Sequence, residues 1–255
     1  MGAEGAELMA THLIRKLEQF TALSSEDKQA LERIAALKVL QLNPREDIIR
    51  EGDRPKHVNL ILEGWAYRYK MLEDGRRQIT AFLIPGDMCD LRMFILKEMD
   101  HSIGAVTPLR VAQIPSDAIL DLTDNHSRIS RALWWNSLVE EAVQREWTTN
   151  VGQREALERL AHLFCELFIR LNGVGLASSA SCDLPPTQEQ MADATGLSAV
   201  HVNRTLQEMR EQGLITLTGR TLTIPDLEAL KAAALFNPNY LHLDRDGLSA
   251  DVRAP

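Results

Sequence analysis

The chain has 255 residues, of which 45% are hydrophobic and 25% charged, and its formal net charge is -8. This length usually forms one or two domains, and the acidic balance excludes a protein that grips any polyanion through a wholly basic surface. No stretch approaches the roughly 20 apolar residues that cross a bilayer, and the N-terminus lacks a charged start followed by an apolar run, so we expect a cytoplasmic protein with no membrane partner.

Two short helices are predicted at the start of the chain. Apolar and charged residues alternate at helical spacing from residue 13 to 36, with Leu13 and Leu17 on one face. Ser24 or Ser25 is the expected cap of the second helix.

Residues 38 to 114 have a different sequence pattern, with apolar runs of about 4 to 8 residues between turn residues. Turn signals such as Pro85-Gly86 are closely spaced, which favours antiparallel hairpins over parallel crossovers. The strongest hairpin prediction places Asp74-Gly75 between strands at 67–71 and 79–83. We predict a small antiparallel barrel or jelly roll.

A long helix is predicted after Pro115, because residues 125 to 171 contain no proline and one glycine, Gly152. We expect the helix to break or bend near Gly152, where helix propensity is lowest. Apolar residues on one face of it have the spacing of a two-helix seam. The predicted dimerisation residues are Trp135, Val139, Ala142, Val143, Trp147 and Val151. The alternative is that this stripe packs on the barrel of its own chain.

Two segments are predicted to contribute little to a core. Residues 172 to 184 are rich in small and turn-forming types and indicate a surface loop. Asp226 to Leu235 is expected to form a short helix. The tail beyond it is too polar to build a core, apart from the segment NPNYLHL, which is able to fold back.

Residues 185 to 215 have the capping and turn residues of two helices joined by a tight turn. Thr187 and Gln190 form a capping box at the start of the first helix. Gly196 is placed to end that helix in the left-handed conformation, and Ser198 caps the second helix. Strands on either side of residues 218–220 then predict a hairpin of the winged type.

The second of these helices is the predicted recognition element. Val202, Leu206 and Met209 share one face, so the remaining side chains point outward, and a helix of this size fits the DNA major groove. Arg204 is the principal predicted base reader, because its planar fork matches two acceptors of guanine. The predicted DNA-binding residues are Thr187, Gln188, Ser198, Ala199, His201, Asn203, Arg204 and Arg220. The alternative is an ordinary helical hairpin with a solvated face.

The order of these parts resembles the superfamily of the cyclic-AMP receptor protein and the fumarate-nitrate reduction regulator, the Crp/Fnr superfamily, and its alphaproteobacterial members. The segments that carry the resemblance are GLSAVHVNRTLQEMREQGLI, REALERLAHLFCELFIRL and IPGDMCDLRMFI followed by HSIGAV. It implies an α+β chain, with a jelly-roll sensor domain at 13–124, a dimerisation helix at 125–152, a winged helix-turn-helix at 153–228 and an extension at 229–255.

The same resemblance implies a transcription regulator, not an enzyme. Its expected partners are double-stranded DNA, a second copy of the chain, RNA polymerase and a small-molecule effector. Cyclic-AMP-type members carry Arg-Glu-Thr-Val-Gly-Arg in the recognition helix, where residues 199–204 of this chain read AVHVNR. The glutamate that would accept from cytosine is lost, so we expect a different operator at that step.

The resemblance places a candidate effector pocket at Gly86, Asp87, Asp90, Leu91, His101 and Ser102. Cyclic-nucleotide binders of the family have glycine-glutamate and arginine-serine where this chain has Asp90-Leu91 and His101-Ser102. The lost carboxylate and guanidinium are the principal polar anchors of the nucleotide, which argues against cyclic AMP.

The cofactor remains unknown from sequence. The iron-sulfur branch of the family needs a cysteine cluster near the N-terminus, and this chain has no cysteine before Cys89, which argues against such a cluster. Haem stays open, since four histidines offer an axial ligand: His57, His101, His126 and His162. No metal site is predicted, and the cysteines are interpreted as small apolar core residues, with a redox sensor as the alternative.

Two other functions compete with regulation. A cupin-like metal enzyme needs a His-x-His pair and a following glutamate, whereas residues 38–114 hold only His57 and His101. A signalling or scaffold protein that has lost DNA binding would keep the same fold.

Overall fold

The computed structural model describes residues 3–89, 91 and 95–243, with side chains described from residue 10 onward. The chain forms two units. The described residues of the first lie within 1–70 and 82–140 and include Leu243, and the second comprises Met71–Ala81 and Glu141–His242.

Two helices open the first unit, as predicted. These are α1 (Ala3–Glu18) and α2 (Ser25–Ala35). The cap of α2 is Ser24, whose hydroxyl accepts from the backbone N–H of Asp27 while the Asp27 carboxylate accepts from the backbone N–H of Ser24. Hydrogen bonds in both directions hold the first turn of α2 in place.

The predicted antiparallel strands are present. They are β1 (Lys38–Leu42), β2 (Asp47–Ile49), β3 (His57–Glu63), β4 (Ala66–Met71), β5 (Arg77–Leu83), β6 (Met88–Cys89), β7 (Ser102–Ala105) and β8 (Leu109–Pro115). Among the described residues they form two four-stranded sheets, with strand orders β1-β8-β3-β6 and β2-β7-β4-β5. This arrangement of short strands confirms the jelly-roll prediction.

Strand β3 shows why apolar and polar residues do not alternate regularly along the strands of the sheet. Val58, Leu60 and Leu62 join a core cluster with residues of α1, α2 and α3 (Ser116–Asn125). The neighbouring Asn59 and Ile61 are also buried, so both faces of the strand are covered. A strand buried on both faces is expected to show an almost continuous apolar run.

The hairpin between β4 and β5 turns at Asp74-Gly75, as predicted. Gly75 has a φ of +85°, and its N–H donates to the carbonyl of Leu72. Glycine adopts this left-handed conformation without the steric penalty that a Cβ brings.

The long helical region is divided into three helices. After α3 come α4 (Ser127–Gln153) and α5 (Ala156–Gly173). The separate helix α3 was not foreseen. The predicted break is found just past Gly152, and Glu155 caps the N-terminus of α5 through a capping box with Glu158. Among the helices described, none combines the length and the apolarity that spanning a bilayer requires.

The second unit continues with α6 (Gln188–Thr195), α7 (Ala199–Glu211), β10 (Thr216–Thr218), β11 (Thr221–Thr223) and α8 (Leu227–Ala233). The prediction that residues 172–184 form only a loop is wrong in part, since β9 (Ser181–Asp183) pairs antiparallel with β11. The wing is therefore a three-stranded sheet, in the order β10-β11-β9.

The prediction that the segment NPNYLHL is able to fold back is confirmed. A 3-10 turn at Pro238–Leu241 folds back, and Phe236 and Leu241 are buried. The tail after residue 243 lies outside the described residues.

Candidate nucleic-acid interface

Local hydrogen bonds at its two N-termini shape the helix-turn-helix. The backbone N–H of Gln190 donates to the Thr187 hydroxyl at 3.2 Å, and the backbone N–H of Thr187 donates to the Gln190 side chain at 2.9 Å. At the start of α7 the N–H of His201 donates to the Ser198 hydroxyl at 3.2 Å. Each cap satisfies N–H groups that the helix itself leaves without acceptors. Both predicted caps are confirmed.

The turn between α6 and α7 depends on Gly196. Its φ of +67° is the predicted left-handed conformation, and its N–H donates to the carbonyl of Ala192. A Cβ at this position would lie 3.2 Å from the side chain of Val151. Both the backbone conformation and the close approach therefore favour glycine.

Helix α7 has two faces of opposite character. Val202, Thr205, Leu206 and Met209 are buried at steps of three and one residues. The opposite face is solvent-exposed along its whole length and carries Ala199, Val200, Asn203, Arg204, Gln207, Glu208, Arg210 and Glu211. Because residues three and four apart are neighbours on a helix, Val200, Asn203, Arg204 and Gln207 form one continuous outward stripe.

The outward side chains of α7 make few hydrogen bonds or ion pairs with the described part of the chain. Within the described part of the chain, neither Arg204 nor Arg210 has a hydrogen bond or ion pair through its guanidinium. Asn203 donates to the Gln188 side chain of α6 at 3.2 Å, which links the recognition helix to the start of the helix before it. His201 is half-buried beside this stripe. A guanidinium without an internal partner is available to a base edge or a phosphate.

The wing arginine has a partner. Arg220 forms an ion pair with Asp183 of β9 at 2.6 Å, and each side chain is 55% exposed. A phosphate that binds Arg220 must therefore share it with, or take it from, this carboxylate. The assignment of Arg220 to the DNA-binding residues stays a prediction.

Helix α5 anchors the motif from behind. Arg159 donates through Nε to the carbonyl of Arg154 at 2.7 Å and through one terminal nitrogen to the carbonyl of Thr195, the last residue of α6, at 3.1 Å. The Thr195 hydroxyl in turn donates to the carbonyl of Met191 at 2.7 Å. The end of α6 is thereby fixed, and with it the direction in which α7 begins.

A buried polar network, which sequence reasoning missed, joins α4, α5 and the C-terminal extension. The carboxylate of Glu166, 0% exposed, accepts from Trp147 Nε1 at 3.0 Å, from the Tyr240 hydroxyl at 2.9 Å and from Arg170 at 3.3 Å. Burial raises the pKa of Glu166, although Arg170 opposes the shift. The only sequence signal for this network was a glutamate on the apolar side of an amphipathic helix.

Most of the predicted dimerisation residues pack within the chain. Trp147 is held by Glu166, and Ala142 and Val143 are buried. Trp135 stacks on Phe20, just past the end of α1, with ring centroids 6.0 Å apart. Val139 and Val151 are half-buried.

The exposed apolar residues of α4 lie on another face. Trp134 is 58% exposed and Leu138 is 60% exposed. Exposed positions continue along the helix at steps of three and four residues, at Glu141, Arg145 and Thr148. This is the heptad spacing of a two-helix seam.

The predicted effector-pocket residues near Gly86 have structural partners. A Cβ on Gly86, whose φ is +94°, would lie 2.8 Å from the backbone of His12. Asp87 is buried, accepts from the backbone N–H of Ile84 at 2.8 Å and forms an ion pair with Lys16 at 2.7 Å. Leu91 is half-buried and packs on the core cluster that α1, α2, α3 and β3 share. Asp90 lies outside the described residues.

The other two pocket residues have different surroundings. Ser102 is buried and accepts from the backbone N–H of Glu51 at 2.9 Å. His101 lies 2.7 Å from the carboxylate of Asp100, and that hydrogen bond lowers the pKa of Asp100. The assignment of these residues to an effector pocket stays a prediction.

The candidate haem ligands are in unlike settings. His162 is fully buried in the second unit beside Phe236 and Tyr240, whereas His126 lies 3.0 Å from Asp27 in the first unit. His57 and His101 are half-buried. Among the described residues, no group of three histidine, cysteine or acidic side chains is placed to hold a metal ion.

The three cysteines are buried and free of disulfides. Burial raises the pKa of Cys165 to about 12 and that of Cys182 to about 11. Because the thiolate is the reactive form, both residues behave as apolar core side chains at neutral pH.

Two family models match the chain. One, described as the Crp-like helix-turn-helix domain, matches residues 158–233, which include α6, α7 and the wing. The other, described as the cyclic nucleotide-binding domain, matches residues 39–126, which include the two four-stranded sheets.

Among curated proteins the chain is similar to several bacterial regulators. The transcriptional activator protein FnrL of Cereibacter sphaeroides is 27% identical over 77% of this chain and 79% of its own length. The nitrogen fixation regulation protein FixK of Azorhizobium caulinodans is 26% identical over 82% and 84%. The transcriptional activatory protein AadR of Rhodopseudomonas palustris is 26% identical over 87% and 90%.

Two solved structures show the same fold. FixK2 from Bradyrhizobium japonicum aligns with a TM-score of 0.69 at 24% identity, over 77% of this chain and 96% of that one. A transcriptional regulator of the CRP family from Thermus thermophilus aligns with a TM-score of 0.59 at 22% identity, over 77% and 97%.

Proposed function

We propose that this chain, a member of the Crp/Fnr superfamily of transcription regulators, binds a specific DNA sequence as a homodimer and does so in the cytoplasm of a bacterium. The observation that carries the proposal is the outward stripe of α7. Its neighbours pack against the buried side of the helix, while Arg204 faces solvent and has no partner among the described residues.

The recognition helix would enter the major groove with its N-terminal half. Arg204 donates two hydrogen bonds to a guanine, and Asn203, positioned by Gln188, contacts the adjacent base or phosphate. Backbone N–H groups in the first turns of α6 and α7 suit phosphate oxygens, with Thr187, Gln188, Ser198, Ala199 and His201 around them. These contacts confine the basic surface to one small area, in agreement with a net charge of -8 for the chain.

The exposed stripe of α4 is the proposed dimer seam, and its occupant is the same stripe of a second copy. Trp134 and Leu138 supply the apolar centre, and exposed Glu141 and Arg145 extend the stripe at heptad spacing. A seam of this kind is self-complementary, so it generates a two-fold symmetric pair and, with it, a two-fold operator.

The barrel is the proposed sensor. An effector that binds one arrangement of the dimer better than another would shift the equilibrium toward that arrangement and change DNA affinity. We expect this effector to differ from cyclic AMP, because His101 stands where the cyclic-nucleotide binders of the family have an arginine and is engaged by Asp100. RNA polymerase is the expected partner of the DNA-bound dimer.

Selection of bound sequences from a random duplex pool tests DNA recognition, and two matched arginine variants make the test specific. Arg204→Ala and Arg210→Ala each remove one exposed positive charge from α7. Arg204→Ala is expected to lower affinity for the selected site by roughly 1 to 3 kcal/mol and to relax one base preference. Arg210→Ala keeps the selected sequence unchanged. An identical selected sequence for wild type and Arg204→Ala would contradict the proposed contact.

Sedimentation of two exposed-leucine variants tests the seam. Leu138→Glu places a charge in the α4 stripe and is expected to yield monomers, whereas Leu120→Glu changes an exposed leucine of α3 and leaves dimers. A dimer that survives Leu138→Glu with unchanged affinity would contradict the proposed interface.

A further inference from the structure

One apolar side chain stands among the polar residues of the DNA-facing surface. Val200 is 82% exposed in the first turn of α7, more than any other large apolar residue described. Single exposed apolar residues are ordinary on protein surfaces, so exposure alone carries little meaning. The position of Val200 is what distinguishes it, because Asn203 and Arg204 are its neighbours at three and four residues on the outward stripe.

We infer that Val200 is a specificity-determining residue that contacts the 5-methyl group of a thymine beside the base contacted by Arg204. The inference rests on the proposed function and adds to it a particular base and a particular atom of that base.

The chemistry of the major groove supports this assignment. Thymine alone among the four bases presents a methyl group there, whereas the other edges at that position offer hydrogen-bond donors, acceptors or a bare C–H. Valine has no polar atom in its side chain, so it gains nothing from a donor or an acceptor. Placed against one, it removes water from the base without replacing the lost hydrogen bond.

The shape of the helix also suits a close apolar contact. A β-branched side chain in a helix has one strongly preferred rotamer, so the two methyl groups of Val200 are held in place before DNA binds. Ala199, next to it, is small and exposed, which leaves room for the start of α7 to approach the base edges. Val202, Leu206 and Met209 are buried on the opposite face and keep this side of the helix directed outward.

Uracil substitution isolates the proposed contact. In the duplex obtained by selection, each thymine is replaced in turn by uracil, which keeps the base pair and removes only the methyl group. Binding of wild type and of Val200→Ala is then compared by fluorescence anisotropy. In wild type, one thymine per half-site is expected to be sensitive, with a loss of about fourfold for one half-site and about fifteenfold for both, the value of burying one methyl-sized group.

The Val200→Ala variant is the matched control. It is expected to bind the thymine and uracil duplexes equally at that position, while circular dichroism shows unchanged folding, because the side chain makes no contribution to the core. A further pair of duplexes carries cytosine or 5-methylcytosine at the same position. The added methyl group is expected to restore part of the affinity of wild type and to leave the affinity of Val200→Ala unchanged.

The outcomes separate the inference from the proposed function. If a specific sequence is selected but every uracil duplex binds wild type like its thymine counterpart, the contact is refuted while DNA recognition stands. The contact is equally refuted if Val200→Ala keeps the full thymine preference. If no sequence is selected at all, the proposed function fails and the inference fails with it.

Discussion

Replacing His162 by phenylalanine is predicted to remove a large part of the acid sensitivity of the second unit. His162 is 0% exposed, and neither of its ring nitrogens has a hydrogen-bond partner among the described residues. Its ring lies against Phe236 and Tyr240, with centroids 4.9 and 5.8 Å away. Glu146 is 3.3 Å from Nε2, but that carboxylate is already paired with Arg154 at 2.6 Å. Burial, reinforced by the charge of Arg154, lowers the pKa of His162 from 6.5 to about 3.

The lowered pKa of His162 determines both the direction and the size of the change in unfolding free energy with pH. A group whose folded-state pKa is depressed contributes stability that is present above the unfolded pKa and is lost as pH falls toward the folded pKa. For His162 this window runs from 6.5 down to about 3. At pH 5 the unfolded imidazole is almost fully protonated and the buried ring is neutral, which costs about 2 kcal/mol of unfolding free energy relative to pH 8.

Hydrogen exchange of α5 amides at pH 5 and pH 8, corrected for intrinsic rates, measures this change within the full chain. The protection free energy of wild type is expected to fall by about 2 kcal/mol more than that of His162→Phe. His57→Phe, which removes a half-buried histidine of the first unit, should behave like wild type. An equal pH dependence in His162→Phe and wild type would refute the assignment of a neutral, buried imidazole.

Three further variants test other contacts. Gly86→Ala should destabilise the first unit by about 2 kcal/mol or more in thermal melts, because its Cβ would meet the His12 backbone at a positive φ; an unchanged melt would contradict the geometry. Asp183→Asn should free Arg220 and steepen the salt dependence of DNA binding by up to one counterion, measured by anisotropy, and an unaltered slope would mean that Arg220 contacts no phosphate. Tyr240→Phe should lower the protection of α5 by about 1 to 2 kcal/mol, since a buried carboxylate loses a donor, and full protection would argue against that bond.

The helix-turn-helix could be predicted in detail because local chemistry specifies it. The Thr187 capping box, the Ser198 cap and the left-handed Gly196 each depend on residues within a few positions along the chain. The hairpin at Gly75 is equally local. The family prediction is also confirmed. The Crp-like helix-turn-helix model matches residues 158–233, which contain the locally specified helices α6 and α7.

The side of α4 that faces solvent could not be predicted, because the helix has apolar residues on two faces. Trp134 and Trp135 are adjacent in sequence and equally apolar. Phe20, over a hundred residues away in the chain, covers Trp135 and leaves Trp134 exposed. Periodicity identifies a stripe, but long-range packing decides which stripe the chain itself covers.

Long-range pairing also explains a strand and a side-chain contact that sequence reasoning missed. Strand β9 is three residues long and gains its hydrogen bonds from β11, some forty residues later. Tyr240 is half-buried, and its hydroxyl donates a hydrogen bond to Glu166, which lies 74 positions earlier in the chain. The pairing of β9 with β11 leaves no local signal, and the contact of Tyr240 leaves only the glutamate on the apolar side of α5.

In the proposed complex α7 lies in a DNA groove and is presented twice by a paired molecule. Interference by methylation of guanine N7 on the selected operator tests it directly, because N7 faces the major groove. We predict two symmetric sets of sensitive guanines separated by about one helical turn, roughly 34 Å, with one sensitive guanine of each set losing its effect in Arg204→Ala. A single set of sensitive guanines, or a pattern that Arg204→Ala leaves unchanged, would contradict the account.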